Sequence, residues 1–359
     1  MGVNQPLISV VMTTYNHEKY IDESIRSVLE QTFSNFEFII VNDGSTDNTD
    51  KIIQSYLNDN RIIYIFQENQ GPSAAVNQGI LKANGKYIAL MSGDDICYPE
   101  RLQKQYNYSN LEATRIIFSW VDFIDDDSNQ LASKHFAKNF FNATNKTRAE
   151  ILKSLFFNGN YLCSVTAFIE KNILLEAGLF NLSSIQLQDF DMWIKLVKKY
   201  EISVIPEKLV KYRIRNDSKN LSHPNNNYLR SGFESCQIYR NFFDDVSIEL
   251  FKESFRDKIK NNDFHEGIEY ELEKAFLYLN SNFIYVRNIG AEKLFYLLQN
   301  HHILAIAKEN YSFGLTQLYE LTNDIDNLNG IFSKYSTRFY KIYKLWINLA
   351  RLIKAKIVK

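Results

Sequence analysis

The apolar run "YIALM" at residues 87–91 leads into Ser92, Gly93, Asp94 and Asp95, with Pro99 shortly after. Two adjacent carboxylates at the end of a buried strand offer hard oxygen ligands to a divalent cation that holds phosphates. Acids and glycine are equally at home in turns, and Asp94 could simply cap the next helix. A second acid, Asp43, closes the run "FEFIIVND" and precedes "GSTD", where a helix opens. A carboxylate in that place can accept hydrogen bonds from a base or a ribose while backbone amides stand near phosphate. The chain contains neither G-x-G-x-x-G nor G-x-x-x-x-G-K-[ST], so the dinucleotide fingerprint and the P-loop are excluded.

The elements that must position these acids follow from the hydrophobic pattern. "LISVVMTTYN", "FEFIIVNDGS", "IIYIFQE" and "KYIALMS" are continuous apolar runs of the buried parallel-strand type. Between them, Ile21, Ile25, Val28 and Leu29, then Ile52, Ile53 and Tyr56, then "SAAVNQGILKA" carry helical spacing. This alternation predicts an α/β fold with a doubly wound, mostly parallel sheet, and it places Asp43 and the Asp94–Asp95 pair on the rim where such sheets bind ligands. "RIIFSWVDFIDDDSN" predicts a hairpin whose three acids form a turn, and "ISVIPEKLVKYRI" predicts a closing strand pair. Beyond "SKNLSHPNNNYLR" the pattern is helical. The expected division is a catalytic domain at 1–220, a helical domain at 225–330 and a basic amphipathic helix at 331–359.

Composition limits the function classes. The 359 residues hold 41 basic and 42 acidic side chains, a net charge of −1, so nothing in the total suits a nucleic-acid partner. Three cysteines, odd in number and far apart, fit a reducing compartment without a disulfide framework. The first residues have no basic leader and too short an apolar run for a signal peptide or span, so a cytoplasmic protein is expected. The segment 331–359 has eight Lys or Arg and no acid. Read as a helix, it sets Tyr335, Phe339, Ile342, Trp346, Leu349 and Ile353 on one stripe. Such a helix can pack on the helical region or on a second subunit, or lie on an anionic membrane surface at the inner face of the cell membrane.

With these residues in view the chain resembles the family 2 glycosyltransferases, which have the GT-A fold and move sugars from nucleotide donors with inversion at the anomeric carbon. The resemblance rests on "ISVVMTTYN", "VNDGSTDNT", "NQGPSAAVNQGILKANGKYIALMSGDD" and "LQDFDMWIKL", and covers roughly residues 6–215. It implies a GT-A-like nucleotide-binding domain with a mostly parallel mixed sheet, followed by a helical C-terminal region. It also implies that Asp43 binds the base, with Thr13 and Tyr15 flanking it, that Asp95 contacts a Mn²⁺ or Mg²⁺ ion, and that Asp94 lies on the sugar-phosphate side. Asp189 falls at the position of the catalytic base, and Asp191 reads as helix support. Tyr212 and Arg213 in "KYRIRN" resemble a motif that follows the last core strands, where Arg213 could hold phosphate or a carboxylate.

The implied donor is a nucleotide-diphosphate sugar, with UDP favoured. The implied acceptor is a growing glycan or a lipid-linked saccharide. Departures from the family pattern are Ser92, Gln188 and Val76, where an acid, an acid and an arginine are common. Two other readings stand beside the transferase: a nucleotide-sugar hydrolase, and a binding protein without turnover.

Overall fold

The computed structural model describes residues 5–131, 140–215 and 224–323. The chain forms two compact units, one ending at Ser254 and the other beginning at Phe255.

The first unit opens with β1 (Ile8–Thr14), α1 (Ile21–Leu29), β2 (Phe36–Asp43), α2 (Thr49–Gln54), β3 (Ile62–Gln67), α3 (Pro72–Lys82) and β4 (Tyr87–Ser92). It continues through β5 (Ile96–Cys97), α4 (Arg101–Leu111), β6 (Ile116–Ile124), α5 (Arg148–Asn158), β7 (Phe168–Glu170), α6 (Lys171–Glu176), α7 (Gln188–Val197), β8 (Ser203–Arg213) and α8 (Pro224–Arg240). The strands make one mixed sheet in the order β3-β2-β1-β4-β7-β6-β8-β5. The parallel pairs β1–β2, β1–β4 and β2–β3 confirm the doubly wound α/β reading. Strand β2 is buried at every position, which is why its sequence is apolar throughout rather than alternating. The core packs β1, β2 and β4 against α1 through Ile8, Val10, Met12, Ile21, Ile25 and Phe38.

One strand expectation changes. The predicted closing pair is a single strand, β8, which runs parallel to β6 with register breaks around Trp120. Ser119 faces Ile205 and Trp120 faces Lys208, so Pro206 and Glu207 bulge out of the ladder where proline has no N–H to give. The expected hairpin after β6 begins with an antiparallel bridge between Ile124 and Gln130 and a bond from the Leu131 N–H to the Phe123 carbonyl at 2.8 Å, and its continuation at 132–139 lies outside the described residues. The acids 125–127 do form a turn, in which Asp125 Oδ1 accepts the N–H groups of Asp127 and Asn129, both at 2.9 Å.

Helix α9 (Ile248–Phe255) runs up to the boundary. The second unit is built on α10 (Ile268–Leu279), α11 (Ile284–Leu297), α12 (His301–Tyr311) and α13 (Leu315–Asn323). Its core gathers Leu272, Phe276, Leu294, Leu298, Ala307 and Leu318. Residues 225–254, expected with the helical region, belong instead to the sheet-bearing unit. Tyr239 of α8 donates its hydroxyl to the carbonyls of Leu155 and Phe156 on α5, at 3.2 and 3.0 Å. The amphipathic segment 331–359 lies outside the described residues, and among those residues no helix is long and apolar enough to cross a membrane.

Candidate functional site

The C-terminal ends of β1 and β4 lie side by side, Thr13 opposite Ser92, and the Gly93 N–H donates to the Thr13 carbonyl at 3.0 Å. Only glycine fits at 93, because a Cβ there would sit 2.6 Å from Thr14 Oγ1 and 3.0 Å from His17 Nδ1. The chain can therefore turn sharply and deliver both acids to one wall of a cleft of about 460 Å³.

Asp94 takes a hydrogen bond from the Ser92 hydroxyl. His17 Nε2 stands 3.7 Å and Arg215 Nη1 3.9 Å from its Oδ2. Asp95 is 2% exposed, and its Oδ1 accepts the Arg213 N–H at 2.8 Å. Burial and then the neighbouring Asp94 charge push the Asp95 carboxyl well above the ordinary carboxylate range, against the Arg213 N–H and the charges of Arg213 and Arg101. A carboxylate raised in this way gains most from a cation beside it, so the pair fits a hard divalent ion. Among the described residues no three His, Cys, Asp or Glu side chains converge, so further ligands would come from phosphate oxygens and water.

Asp189 enters the same cleft from the first turn of α7. Its Oδ2 accepts from Asn160 Nδ2 at 2.9 Å, and its Oδ1 from the Phe190 N–H at 2.7 Å. Burial raises its pKa to about 6 against those two bonds, although the side chain still opens onto the cleft. A carboxylate with that pKa is deprotonated near neutral pH yet basic enough to take a proton. Asp191 points elsewhere and pairs with Lys195 at 2.6 Å along the helix. The loop before α7 is tied to α3. Asn77 both donates to the Phe180 carbonyl and accepts its N–H, at 2.8 and 2.9 Å, and Ser73 donates to Ser184 at 2.8 Å.

Thr13, Asp94, Asp95 and Asp189 thus share one cleft, while three other expected residues lie off it. Asp43 is buried and orders the loop before α3. It accepts from Gln67 Nε2 at 2.8 Å and from the Gln70 and Gly71 N–H groups at 2.9 Å each. Tyr15 is exposed beyond the end of β1.

Arg213 is fully buried off the cleft, and of the two partners expected for it, a phosphate or a carboxylate, it meets a carboxylate, that of Glu23. Its guanidinium donates to the carbonyls of Asp94 (2.8 Å) and Asp125 (2.6 Å) and to Glu23 and Ser128 (3.0 Å each), and it stacks 4.6 Å from the Tyr20 ring centre. These bonds suspend the Asp94–Asp95 turn from α1 and the 125–128 turn. A lysine cannot reproduce the planar fork. Arg213→Lys is therefore expected to cost about 3 kcal/mol, in the range for breaking a buried charged network, which is roughly 5 to 10 °C in a thermal melt. A wild-type melting curve would contradict this assignment.

Among the described residues, the arginine that does border the cleft is Arg215, two residues further on. Asn160, Phe140 and Phe141 also line it and were not foreseen. Trp193 is fully buried against Phe118, and Trp120 is tied to the Ala143 carbonyl; neither borders the cleft. Cys97 is buried beside Arg101, and burial pushes its thiol up, away from nucleophilic use.

Known proteins share the family and the fold of this chain. The model of glycosyl transferase family 2 matches residues 9–176. An uncharacterized glycosyltransferase of Methanocaldococcus jannaschii is 39% identical over 226 residues, covering 61% of this chain and 75% of that protein. One from Rickettsia prowazekii is 33% identical, covering 59% of this chain and 65% of the relative. Among solved structures, S. aureus TarS 1-349 in complex with UDP-GlcNAc superposes with a TM-score of 0.56 at 20% identity, over 92% of this chain and 91% of that one. At that identity the likeness is one of fold, and the fold is α/β of the GT-A type with a helical C-terminal region. The chain belongs to glycosyl transferase family 2.

Proposed function

We propose that the protein is an inverting, metal-assisted glycosyltransferase that moves a sugar from a UDP-sugar to a hydroxyl of a growing glycan or a lipid-linked saccharide. The observation that carries this reading is the meeting of the Asp94–Asp95 pair and Asp189 in one cleft. Asp189 accepts the proton of the acceptor hydroxyl. The acceptor oxygen then bonds to the anomeric carbon on the face opposite the diphosphate, and the sugar–phosphate C–O bond breaks with its electrons leaving on the diphosphate. Asp94 and Asp95 would hold a Mn²⁺ or Mg²⁺ ion, which supplies charge neutralisation for that leaving group. Arg215 stands on the same side.

The ends of β2, β1 and β4 are adjacent, which sets Asp43 and Asp94 about two strand spacings apart, roughly 10 Å. A nucleoside lying across the end of β1 reaches from one to the other. Phe140, half exposed on the cleft, offers a face for a sugar ring, and Gln188 Oε1 is buried there without a hydrogen-bond partner, suited to a hydroxyl donor. Action at the inner face of the membrane, in surface polysaccharide synthesis, draws its support from the residue types of 331–359.

The test is a panel of UDP-sugars incubated with Mn²⁺, Mg²⁺ or chelator, with and without saccharide acceptors. The expected result is UDP release that one donor and an acceptor stimulate together, with a product of opposite anomeric configuration. UDP release at the same rate without acceptor would identify a hydrolase, and binding without release a non-catalytic protein.

A further inference from the structure

We infer that Glu234 of α8 is the positioning residue for Asp189, so that α8 belongs to the catalytic machinery without touching a reacting atom. This rests on the assignment of Asp189 as the base.

The turn leading into α7 directs three successive backbone N–H groups, those of Ile185, Gln186 and Leu187, toward one point. Such a nest calls for an anion. No side chain of the turn supplies one, since Leu187 at the helix cap has no oxygen and no side-chain capping bond is made there. The anion comes instead from Glu234, 47 to 49 residues later in the chain. Its carboxylate is 5% exposed. Oε1 accepts the Ile185 N–H at 3.0 Å, and Oε2 accepts those of Gln186 and Leu187 at 2.9 Å each.

The same helix also holds the chain just after Asp189, because the Tyr239 ring packs 5.9 Å from that of Phe190. Tyr239 is itself fixed to α5 through its hydroxyl. Asp189 thus sits between two segments that α8 clamps, one by hydrogen bonds and one by packing. A base must lie within hydrogen-bond reach of the proton it takes, and a displacement of about 1 Å can cost of the order of 10²-fold in rate. Losing Glu234 would leave three part-buried N–H groups without that partner and let the turn rearrange to reach water.

The experiment compares full-length Glu234→Ala and Glu234→Gln with wild type. The probes are the UDP-sugar that the panel shows to be consumed fastest and UDP alone for binding. Backbone hydrogen exchange is followed at residues 185–187. In Glu234→Ala, kcat is expected to fall about 10- to 100-fold while donor KM and UDP affinity stay within about two-fold. Exchange at the three amides accelerates, and the acid limb of kcat moves below pH 6 as water reaches Asp189.

Glu234→Gln should be intermediate. Its amide oxygen can still accept from Gln186 and Leu187, while its NH₂ faces the Ile185 N–H. If the alanine variant does not fold, the glutamine variant carries the same readouts. Wild-type kcat in a folded variant with fast exchange overturns the positioning role. So does a joint change of kcat and donor KM with an unmoved acid limb, which is the mark of general loosening. A fully active Asp189→Asn protein overturns the base assignment on its own, and does so without altering the exchange result expected for Glu234.

Discussion

Asp189→Asn is expected to reduce sugar transfer by roughly 10²-fold or more while leaving UDP affinity within a few-fold. The asparagine has nearly the same shape, keeps an oxygen for the Phe190 N–H, and loses only the capacity to take a proton and the bond from Asn160. Because burial sets the Asp189 pKa to about 6, wild-type transfer should rise with pH through that value as the carboxylate loses its proton. The residual activity of the variant should lack this limb. The same shift makes a second, independent prediction of opposite sign for stability. A carboxyl whose pKa is higher folded than unfolded binds more protons in the native state, so wild-type stability falls as pH rises from about 4 to about 6 and stays lowered above that. At 1.4 kcal/mol per unit the cost could reach about 3 kcal/mol, and the opening of Asp189 onto the cleft reduces it to about 1 to 2 kcal/mol. The loss of the Asn160 bond is the same at every pH. The melting temperature of Asp189→Asn relative to wild type should therefore climb between pH 4 and pH 7. A flat difference would mean that the carboxylate is not desolvated, and transfer at the wild-type rate would remove Asp189 from the role of base.

How far the site was legible follows from the range of each signal. Asp94 and Asp95 could be placed because an apolar run followed by Ser-Gly-Asp-Asp is a local pattern, and a parallel strand must present its C-terminal end to the rim. Asp189 sits in a short apolar helix whose own residues carry the resemblance. Arg213 and Arg215 could not be told apart from sequence. Strand alternation would put both on one face, but β8 ends at Arg213, and the chain beyond it no longer obeys the two-residue period. What decides burial is the set of oxygens from Glu23, Asp94, Asp125 and Ser128 that converge on Arg213, contributed by three separate stretches of chain. Asp43 shows a related difficulty. A carboxylate at a strand end can receive a ligand or a loop, and here the loop 67–71 supplies three donors. Glu234 left no local trace, because nothing in the sequence around it reports that a turn 47 residues earlier lacks an anion. Sheet order was similarly out of reach: short β7 slips between β4 and β6 and runs antiparallel to both, a choice made by packing over three residues.

Asp95→Asn is expected to weaken UDP binding in Mn²⁺ by about 10- to 100-fold, or about 1.4 to 2.8 kcal/mol, and to leave binding in excess chelator at the wild-type level. Asparagine is the informative substitution because its side-chain oxygen can still accept the Arg213 N–H that Asp95 Oδ1 now accepts, so the turn stays suspended and only the charge is lost. Alanine would remove both and confound metal affinity with the fold of the turn. The magnitude follows from the small number of protein ligands available: with Asp94 as the remaining carboxylate, a hard cation loses half of its anionic protein contacts, and the diphosphate must carry the rest. Asp43→Ala offers the contrast, since it should weaken UDP to a similar degree with and without metal. That result would have two sources, the loss of a contact to the base and the release of the 67–71 loop. Calorimetric titration of UDP into each protein, in Mn²⁺ and in chelator, separates the cases by whether the loss depends on the metal. If wild type itself binds UDP equally in both conditions and turns over in chelator, the cation reading fails. The raised carboxyl of Asp95 would then serve only its bond to Arg213, and the adjacent acids would be a structural turn beside the cleft.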